Sequence, residues 1–554
     1  MKKIKISDIK MSINNNEIIW DEEYEKLKKD NISNYKINNK EIFYKNDLNI
    51  LKKALIFVLI VFILIPIFFI FNIMIHNSYS VKANELSIKY NITNIHNLIK
   101  LFDTSSSNII NSITSMEINE IKINPLDKYK FNKTGIYNIK IRLKTHLNTI
   151  NHLFKNCKDI IEVDFTNFDK AKIHNVSNLF YGCSSLKNIF GFNSFKANKI
   201  KDMSYLFYGC SSLTNIDLSS FSTPSVIYMQ NMFAHCSKLT QINFTNFNSS
   251  NVINIEGLFD SCSSIAYINL NNFDTSKVTS MSKMFNKCIS LTSIEISNFK
   301  THNVRDLSFM FNSCYNLKYL NLKDFDTSNV ITMNQMFRDC KSLAFLDLNN
   351  FITEKLEDIY QMFCDCSSLE YININNFNTS KITNMRNLFR GCSSLKSINL
   401  DNLDTSNVLT MSGMFSQCSL LTSINLINFN FSKTLFLDNM FNNCSSLEFI
   451  KFNNNLTDIN LFYADNLFKS CKNLKSVDFG KINMKSVINI NSLFEDCLSL
   501  SFIDLSYINS SKIEYYNNIF KGINKEGTIK FNSSIFDIKI LKELPDNWTK
   551  IDIK

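Results

Sequence analysis

The stretch LNNFDTSKVTSMSKMFNKCISLTSIEI, residues 270–296, contains the pattern that decides the fold. Almost the same text returns as LKDFDTSNVITMNQMFRDCKSLAFLDL at residues 322–348. In both, a Phe is followed three residues later by a Cys, and this pair occurs fourteen times between Phe154 and Cys497, at steps of 26 or 27 residues. A fixed period of this length is typical of repeat proteins whose units stack in one direction.

Each unit has two halves with different periods. Apolar residues within residues 278–288 lie at offsets 0, +3, +6, +7 and +10, which predicts a helical segment, and Thr275 stands where a helix cap belongs. In the second half, Ile294 and Ile296 alternate with polar residues, as in a half-buried strand. One unit cannot bury its own apolar face, so the sequence predicts an α/β solenoid of about fifteen coils over residues 146–526, with a parallel sheet on one side and helical segments on the other.

An uncharged apolar run, ALIFVLIVFILIPIFFIFNIMI, covers residues 54–75. The run is long enough to span a bilayer as one transmembrane helix, and residues 1–53 before it are not the short basic start of a signal peptide. Lys52 and Lys53 precede the run and uncharged residues follow it. We therefore expect residues 1–53 to be a cytoplasmic tail and the repeats to lie outside the cell.

The remaining segments flank the repeats. Residues 76–117 show weak periodicity and are expected to form a stalk or linker. Residues 118–145, which include the alternating stretch KTGIYNIKIRL, are expected as an N-terminal cap, and residues 527–554 as a C-terminal cap. Solenoids need such caps because an open end exposes the core and an unpaired strand edge.

The repeat closely resembles that of the BspA-like leucine-rich-repeat surface proteins of bacteria and protists. The resemblance rests on the strand core Leu213-x-x-Ile216-x-Leu218, on M-F-x-x-C-S-S-L and on N-F-x-T-S-x-V, and it covers about residues 145–525. It implies display at the cell surface and adhesion, and names no ligand. The chain departs from common leucine-rich repeats by placing Phe273 and Phe299 where those have Asn or Cys after the strand.

Fourteen of the fifteen Cys residues occupy one repeat column, beside Phe on the inward face. This position predicts a ladder of buried thiols, because free Cys behaves as a small apolar residue. Disulfides between neighbouring coils remain an alternative, since adjacent coils bring the Cα atoms within bonding range. Cys364 is out of register and is expected at the surface, either as a reactive thiol or as an accidental surface residue.

Composition and motifs argue against several classes of function. A formal charge of +10 spread over 554 residues does not indicate nucleic-acid binding. The sequence has no phosphate-binding glycine loop and no paired Cys or His spacing for zinc, so we expect no catalytic, cofactor or metal residues and no small-molecule substrate. Asp274, Asp326 and Asp404 recur in one repeat column, as turn-capping residues do.

Strand alternation predicts which residues of the sheet face point outward. The positions expected to bind a partner are Tyr267, Tyr319, Phe345, Tyr371, Asp347 and Glu295. Aromatic side chains beside polar ones are typical of protein-recognition surfaces. An equally open interpretation is that the rings only stack on each other along the sheet and contribute to stability.

These observations predict a membrane-anchored cell-surface protein that mediates adhesion or protein recognition without catalysis. Its ligand is expected to be a protein or another cell-surface molecule. Two alternatives remain: a structural coat protein that self-associates through its solenoid, and a sensor that signals through the short cytoplasmic tail. The tail has no recognisable signalling module.

Overall fold

The computed structural model describes residues 11–14, 17–20, 84–103, 110–144, 147–168, 172–192, 195, 199–219, 221, 223–453, 459–482 and 484–554. The chain divides into two compact units, residues 1–81 and 82–554. In the first unit, β1 (Met11–Asn14) and β2 (Glu17–Trp20) form an antiparallel hairpin. The transmembrane helix expected at residues 54–75 lies outside the described residues. Across the described ranges, no helix has both the length and the apolar character needed to cross a bilayer.

The second unit is a solenoid whose coils stack short parallel strands on one side. In the three-residue strands the middle residue is buried, as in Ile268 and Leu346, or half-buried, as in Ile216, while the two residues around it face outward. This is the alternation expected from the sequence. The strands are β9 (Ile160–Asp164), β10 (Asn188–Phe190), β11 (Asn215–Asp217), β12 (Gln241–Asn243), β13 (Tyr267–Asn269), β14 (Ser293–Glu295), β15 (Phe345–Asp347), β16 (Tyr371–Asn373), β17 (Ser423–Asn425), β18 (Phe449–Lys451), β19 (Ser476–Asp478) and β20 (Phe502–Leu505).

The parallel sheet is interrupted rather than continuous. In the middle of the solenoid the strands pair in twos: β11 with β12, β13 with β14, β15 with β16, and β17 with β18. Among the strands that the structure describes, β12 and β13 are not hydrogen-bonded to each other, and residues 319–321 form no strand. Grooves therefore open on the sheet face between some neighbouring coils.

The side opposite the sheet is not helical, so the predicted helical segments are wrong. In the coil at residues 281–288, the N–H groups of Met281, Lys283, Phe285 and Lys287 each donate to the carbonyl oxygen 25 residues further on, in the next coil. Lys283 and Lys287 have φ angles of +57°, which an α-helix does not tolerate. Bonds between coils thus replace the bonds within a helix, although the apolar positions at helical spacing are buried as expected.

Thr275, expected as a helix cap, belongs to a ladder of buried hydroxyl groups instead. Its Oγ1 donates to the carbonyl oxygen of Lys300 (3.1 Å) and accepts from the N–H of the same residue (2.8 Å). Other coils form the same bond through one hydroxyl each, at Thr223, Thr301, Thr327, Thr353, Thr379 and Thr405. These hydroxyls hydrogen-bond consecutive coils to each other. The chain has Phe at the position after the strand where common leucine-rich repeats have Asn or Cys.

A column of stacked Phe rings runs through the core along the length of the solenoid. From Phe154 to Phe520, each ring of the repeat column lies 5.3–6.1 Å from the next, with ring planes within 15° of parallel. Phe520 continues the column although its coil lacks the Cys. Each ring is buried from water and contacts two others, so a coil depends on its neighbours for its core.

At the N-terminal end of the solenoid, antiparallel strands of a cap extend the parallel pair of β9 and β10 into a mixed sheet. The order of its strands is β10, β9, β3 (Glu85–Ile92), β8 (Gly135–Leu143), β5 (Ile113–Ile118) and β6 (Ile121–Ile123), so β3 joins the first coil to the cap. Residues 84–103 and 110–117, which we expected to belong to a stalk or linker, are therefore part of this cap. The ring centroid of Phe102 lies 6.0 Å from that of Phe154 in the first coil. The cap also contains a 3₁₀ helix (Ile110–Ser112) and a small antiparallel pair, β4 (Ile99–Lys100) with β7 (Lys128–Tyr129).

At the C-terminal end, β21 (Gly527–Phe531) and β22 (Trp548–Asp552) extend the parallel sheet beyond β20. A 3₁₀ helix, Ile538–Glu543, lies between them. The indole of Trp548 covers Gly527 so closely that a Cβ at this glycine would lie 2.7 Å from the ring. Residues 527–554 thus close the last coil through one large aromatic side chain.

Candidate recognition surface

The sheet face presents a row of aromatic side chains to solvent. Four rings expected there are about half exposed or more: Tyr267 (52%), Tyr319 (68%), Phe345 (53%) and Tyr371 (48%). Each ring faces outward because the residue that follows it in the sequence points into the core, and side chains alternate along an extended chain. Large apolar groups exposed side by side are unusual on a surface that has no partner.

The rings do not form one unbroken stack. Phe345 and Tyr371 lie opposite each other in the β15–β16 pair, with ring centroids 4.8 Å apart and planes within 9°. Tyr319 lies across an open recess of about 350 Å³, which is lined by residues 319–323 and by the coil that follows them. Tyr319 and Phe345 therefore both line one recess, and Tyr371 stacks on Phe345 outside its lining.

Asp347, one of the polar residues beside the rings, also stabilises a turn. Oδ1 of Asp347 accepts the backbone N–H of Asn349 (3.0 Å) and closes the turn after β15. Asp347 and the exposed Lys323 both line the recess, so it has one acidic and one basic side chain at its rim. Glu295, at the end of β14, is exposed but is not part of the recess lining.

Of the six residues predicted to bind a partner, four lie together. Tyr319, Phe345, Tyr371 and Asp347 surround or adjoin the recess. Tyr267 lines a different groove, nearer the N-terminal end of the solenoid. We call the group of four the aromatic recess.

The cysteine column has no catalytic geometry. All fifteen Cys are free and buried, so the fourteen of the repeat column form the predicted ladder of thiols rather than the disulfide alternative. Burial raises the pKa of these thiols, to about 12 for Cys236 and Cys444, so they are not thiolates at neutral pH. In the described parts of the chain, no three His, Cys, Asp or Glu side chains are grouped so as to hold a metal ion.

Cys364 is buried, so its expected surface position is wrong. Its thiol donates to Oδ2 of Asp365 (3.2 Å), and Nη1 of Arg390 lies 3.9 Å from the sulfur. Burial, then the nearby Asp365 carboxylate, raises the pKa of Cys364 to about 12. Asp365 and Arg390, which both lie beside the sulfur, also form a salt bridge with each other at 3.2 Å.

The recurring carboxylates cap turns, as expected. Oδ1 of Asp274 accepts the N–H of Ser276, and Oδ1 of Asp326 accepts that of Ser328, both at 3.0 Å. These bonds from the neighbouring Ser lower the pKa of both carboxyl groups. Their arrangement is that of turn closure, not of an acid and base pair.

An aromatic cluster away from the sheet was not predicted. The rings of Tyr181 and Tyr208 are parallel at 4.5 Å, and those of Tyr205 and His235 lie 5.8 and 5.0 Å from Tyr208. Tyr181 and Tyr208 each come directly after a Phe of the core column. Comparing that position between repeats would have found the stacked pair.

Comparison with known proteins agrees with the repeat architecture. The family described as "Mycoplasma protein of unknown function, DUF285" matches residues 148–268, 253–373 and 357–464, which together are more than half of the chain. The family described as "BspA type Leucine rich repeat region (6 copies)" matches residues 434–541. No curated protein matches the chain.

Two solved structures are similar at low identity. A leucine-rich repeat protein from Bacteroides ovatus is 16% identical, with 77% of this chain and 90% of that chain covered and a TM-score of 0.36. A leucine rich cell surface protein from Faecalibacterium prausnitzii is 17% identical, with 66% and 83% covered and a TM-score of 0.28. The assignment therefore rests on the repeat motif and the two sequence families: the chain belongs to the DUF285 family and is a BspA-like leucine-rich-repeat protein.

Proposed function

We propose that the protein is a non-catalytic recognition protein that binds a protein ligand through the aromatic recess. The observation that supports this most strongly is that Tyr319 and Phe345 line one recess of about 350 Å³, with Tyr371 stacked on Phe345 beside it. BspA-type leucine-rich-repeat proteins are associated with protein recognition or adhesion at cell surfaces, and the proposal applies that role to this site.

The chemistry of the recess suits a protein partner. Exposed aromatic rings contribute much of the binding energy in protein interfaces, because they bury large areas with few rotatable bonds. A recess between two aromatic walls accommodates one side chain of the partner, while Lys323 and Asp347 at the rim offer a charged group of each sign. Tyr267 and Glu295 belong to earlier coils of the same face, where a partner spanning several coils would also make contact.

The proposal includes the location of the protein. The uncharged run at residues 54–75 would anchor it in a membrane as a single span, with residues 1–53 in the cytoplasm and the repeats outside. Protease added to intact cells is then expected to remove the repeats and to spare a tag at the N-terminus. Loss of the tag with the repeats protected would contradict this orientation.

A binding screen tests the function. The purified full chain is titrated over immobilised cell-surface and matrix proteins, and its own association state is measured by light scattering over the same concentrations. We expect saturable binding to at least one protein while the chain stays at a constant mass. Growth of large assemblies without saturable binding would instead support a structural coat that self-associates.

A further inference from the structure

A second site opens where β12 and β13 fail to pair. A groove of about 750 Å³ lies on the sheet face across the coils of β11, β12 and β13. This volume is in the range of sites that bind small molecules, about 300–1,000 Å³. The groove is separate from the aromatic recess, with which it shares no lining residue.

The groove exposes polar and apolar surface in nearly equal amounts. The exposed side chains come from the two outward columns of the sheet, and the half-buried Ile216 and Ile242 lie beneath them. Among the outward side chains of the three strands in the groove, Tyr267 is aromatic and Asp217 is charged. The other outward side chains from the three strands are amides: Asn215, Gln241, Asn243 and Asn269.

Several of these polar groups are held in place by the chain itself. Oδ1 of Asp217 accepts the N–H of Ser219 (2.9 Å), and Oδ1 of Asn269 accepts the N–H of Asn271 (3.0 Å). Oδ1 of Asn243 accepts both the N–H and the hydroxyl of Thr245 (3.1 and 2.6 Å). Fixing one oxygen of each side chain orients the rest, so a ligand would meet amide donors and a second carboxylate oxygen with little loss of entropy.

An extended peptide does not fit between the two strands. On either side of the gap the same coils keep their normal spacing: the rings of Phe233 and Phe259 are 5.8 Å apart, and those of Phe247 and Phe273 are 5.6 Å apart. Inserting a strand would require twice the ordinary separation of about 4.8 Å. A ligand must therefore lie on the groove and use side chains rather than the backbone edges.

We propose that this groove binds a short neutral oligosaccharide. The ring of Tyr267 would pack against the C–H face of one pyranose, while Asp217, Gln241 and the Asn side chains bond its neighbouring hydroxyl groups. A hydroxyl both donates and accepts, so it matches a mixture of amide and carboxylate groups. A neutral sugar is favoured over an anionic one because the outward columns here hold a carboxylate and no basic side chain.

The test uses the full chain and a defined panel of sugars. Maltotriose, cellotriose and N-acetylchitotriose are titrated by calorimetry, together with lactose and its anionic derivative sialyllactose. We expect saturable binding of at least one neutral trisaccharide, and no preference for sialyllactose over lactose. Absence of saturable binding for all three trisaccharides, or tighter binding of sialyllactose than of lactose, would overturn the proposal.

Variants locate the binding. We expect Tyr267→Ala to weaken the sugar at least about tenfold, Tyr267→Phe to retain it because the ring remains, and Gln241→Ala to weaken it severalfold. Phe449→Ala removes an exposed ring of β18 that belongs neither to the groove nor to the aromatic recess, and this control is expected to bind the sugar as the unmodified chain does. Equal affinity of the Tyr267→Ala and Tyr267→Phe variants, with both melting normally, would overturn the site. Neither result bears on protein binding at the aromatic recess.

Discussion

The thiol of Cys314 donates a hydrogen bond to the carbonyl oxygen of Phe285, 3.2 Å away in the preceding coil. The same bond joins Cys and Phe at thirteen positions along the solenoid, at 3.0–3.2 Å. The column of Cys is therefore more than small apolar filling, because each thiol gives a second hydrogen bond to a carbonyl of the neighbouring coil that already accepts one backbone N–H. This explains physically why a Cys accompanies nearly every Phe of the core.

Removing one of these thiols is expected to weaken a central coil. Cys314→Ala loses both the packing of the sulfur and the bond to Phe285, so the free energy of unfolding should fall by about 1–2 kcal/mol. Thermal or urea unfolding of the full chain measures this. Lys318→Ala, an exposed change in the same coil, is the control and is expected to stay within about 0.5 kcal/mol. Equal stability of both variants would contradict a structural role for the thiol.

Loss of a ring from the core column should be more damaging. Phe285 is 1% exposed and stacks on rings in both neighbouring coils. We expect Phe285→Ala to destabilise by about 3–5 kcal/mol and to increase hydrogen exchange in the adjacent coils. Phe345→Ala removes an identical but exposed ring and should cost about 1 kcal/mol or less. A loss below about 1 kcal/mol for Phe285→Ala would mean that the column is not the core.

The buried thiols should be unreactive in the folded protein. The pKa of Cys364 is raised to about 12, and the other Cys are also buried with raised pKa values, so almost no thiolate exists at pH 8. A thiol reagent such as dithionitrobenzoate should react slowly with the native chain and quickly with all fifteen Cys in denaturant. If one thiol of the native chain reacts rapidly and the Cys364→Ala variant lacks this reaction, Cys364 is exposed and its assigned burial is contradicted.

A carboxylate between two lysines predicts a dependence of stability on pH. Nζ atoms of Lys469 and Lys521 lie 2.8 Å from the Glu495 carboxylate and lower its pKa from 4.5 to about 2. Because the folded pKa is lower than the unfolded one, Glu495 stabilises the fold above about pH 4.5, and this contribution is lost as the pH falls towards 2.

The matching variant is Glu495→Gln. It should lower the free energy of unfolding by about 1 kcal/mol at pH 7, since the lysines are partly solvated, and by less at pH 3. Glu448→Gln removes the more exposed pair with Lys475 and should have a smaller effect at both pH values. A difference between the unmodified chain and Glu495→Gln that grows on acidification would contradict the assigned shift.

The repeat period was sufficient to predict the coils and which residues of each strand point inward or outward. It was not sufficient to predict the backbone conformation on the side opposite the sheet. Apolar residues such as Met281, Met284 and Phe285 have helical spacing, yet the same set is buried by a chain that turns through left-handed residues at Lys283 and Lys287. Only the hydrogen bonds to the next coil distinguish this backbone from an α-helix. Those bonds are made by backbone groups, which nearly all residue types share, so the sequence pattern does not reveal them.

Other features depend on contacts that are distant in sequence. The stretch ELSIKYNI of β3 alternates apolar and polar residues, but its role became evident only from its pairing with β8 and β9. The outward positions of Tyr319, Phe345 and Tyr371 follow from strand alternation. The recess between the first two does not, because it results from a break in strand pairing that nearly identical repeat sequences do not reveal.

The most direct test of the account compares two faces of the solenoid in binding to the protein ligand found in the screen. The variant Phe345→Ala/Tyr371→Ala removes the stacked pair of the aromatic recess, and Phe436→Ala/Tyr463→Ala removes a matched stacked pair, at 5.6 Å, on the opposite side. Both should fold with similar melting temperatures. We predict at least a tenfold loss of affinity for the first variant, about 1.4 kcal/mol, and none for the second; equal affinities, or loss only in the second, would contradict recognition by the sheet face.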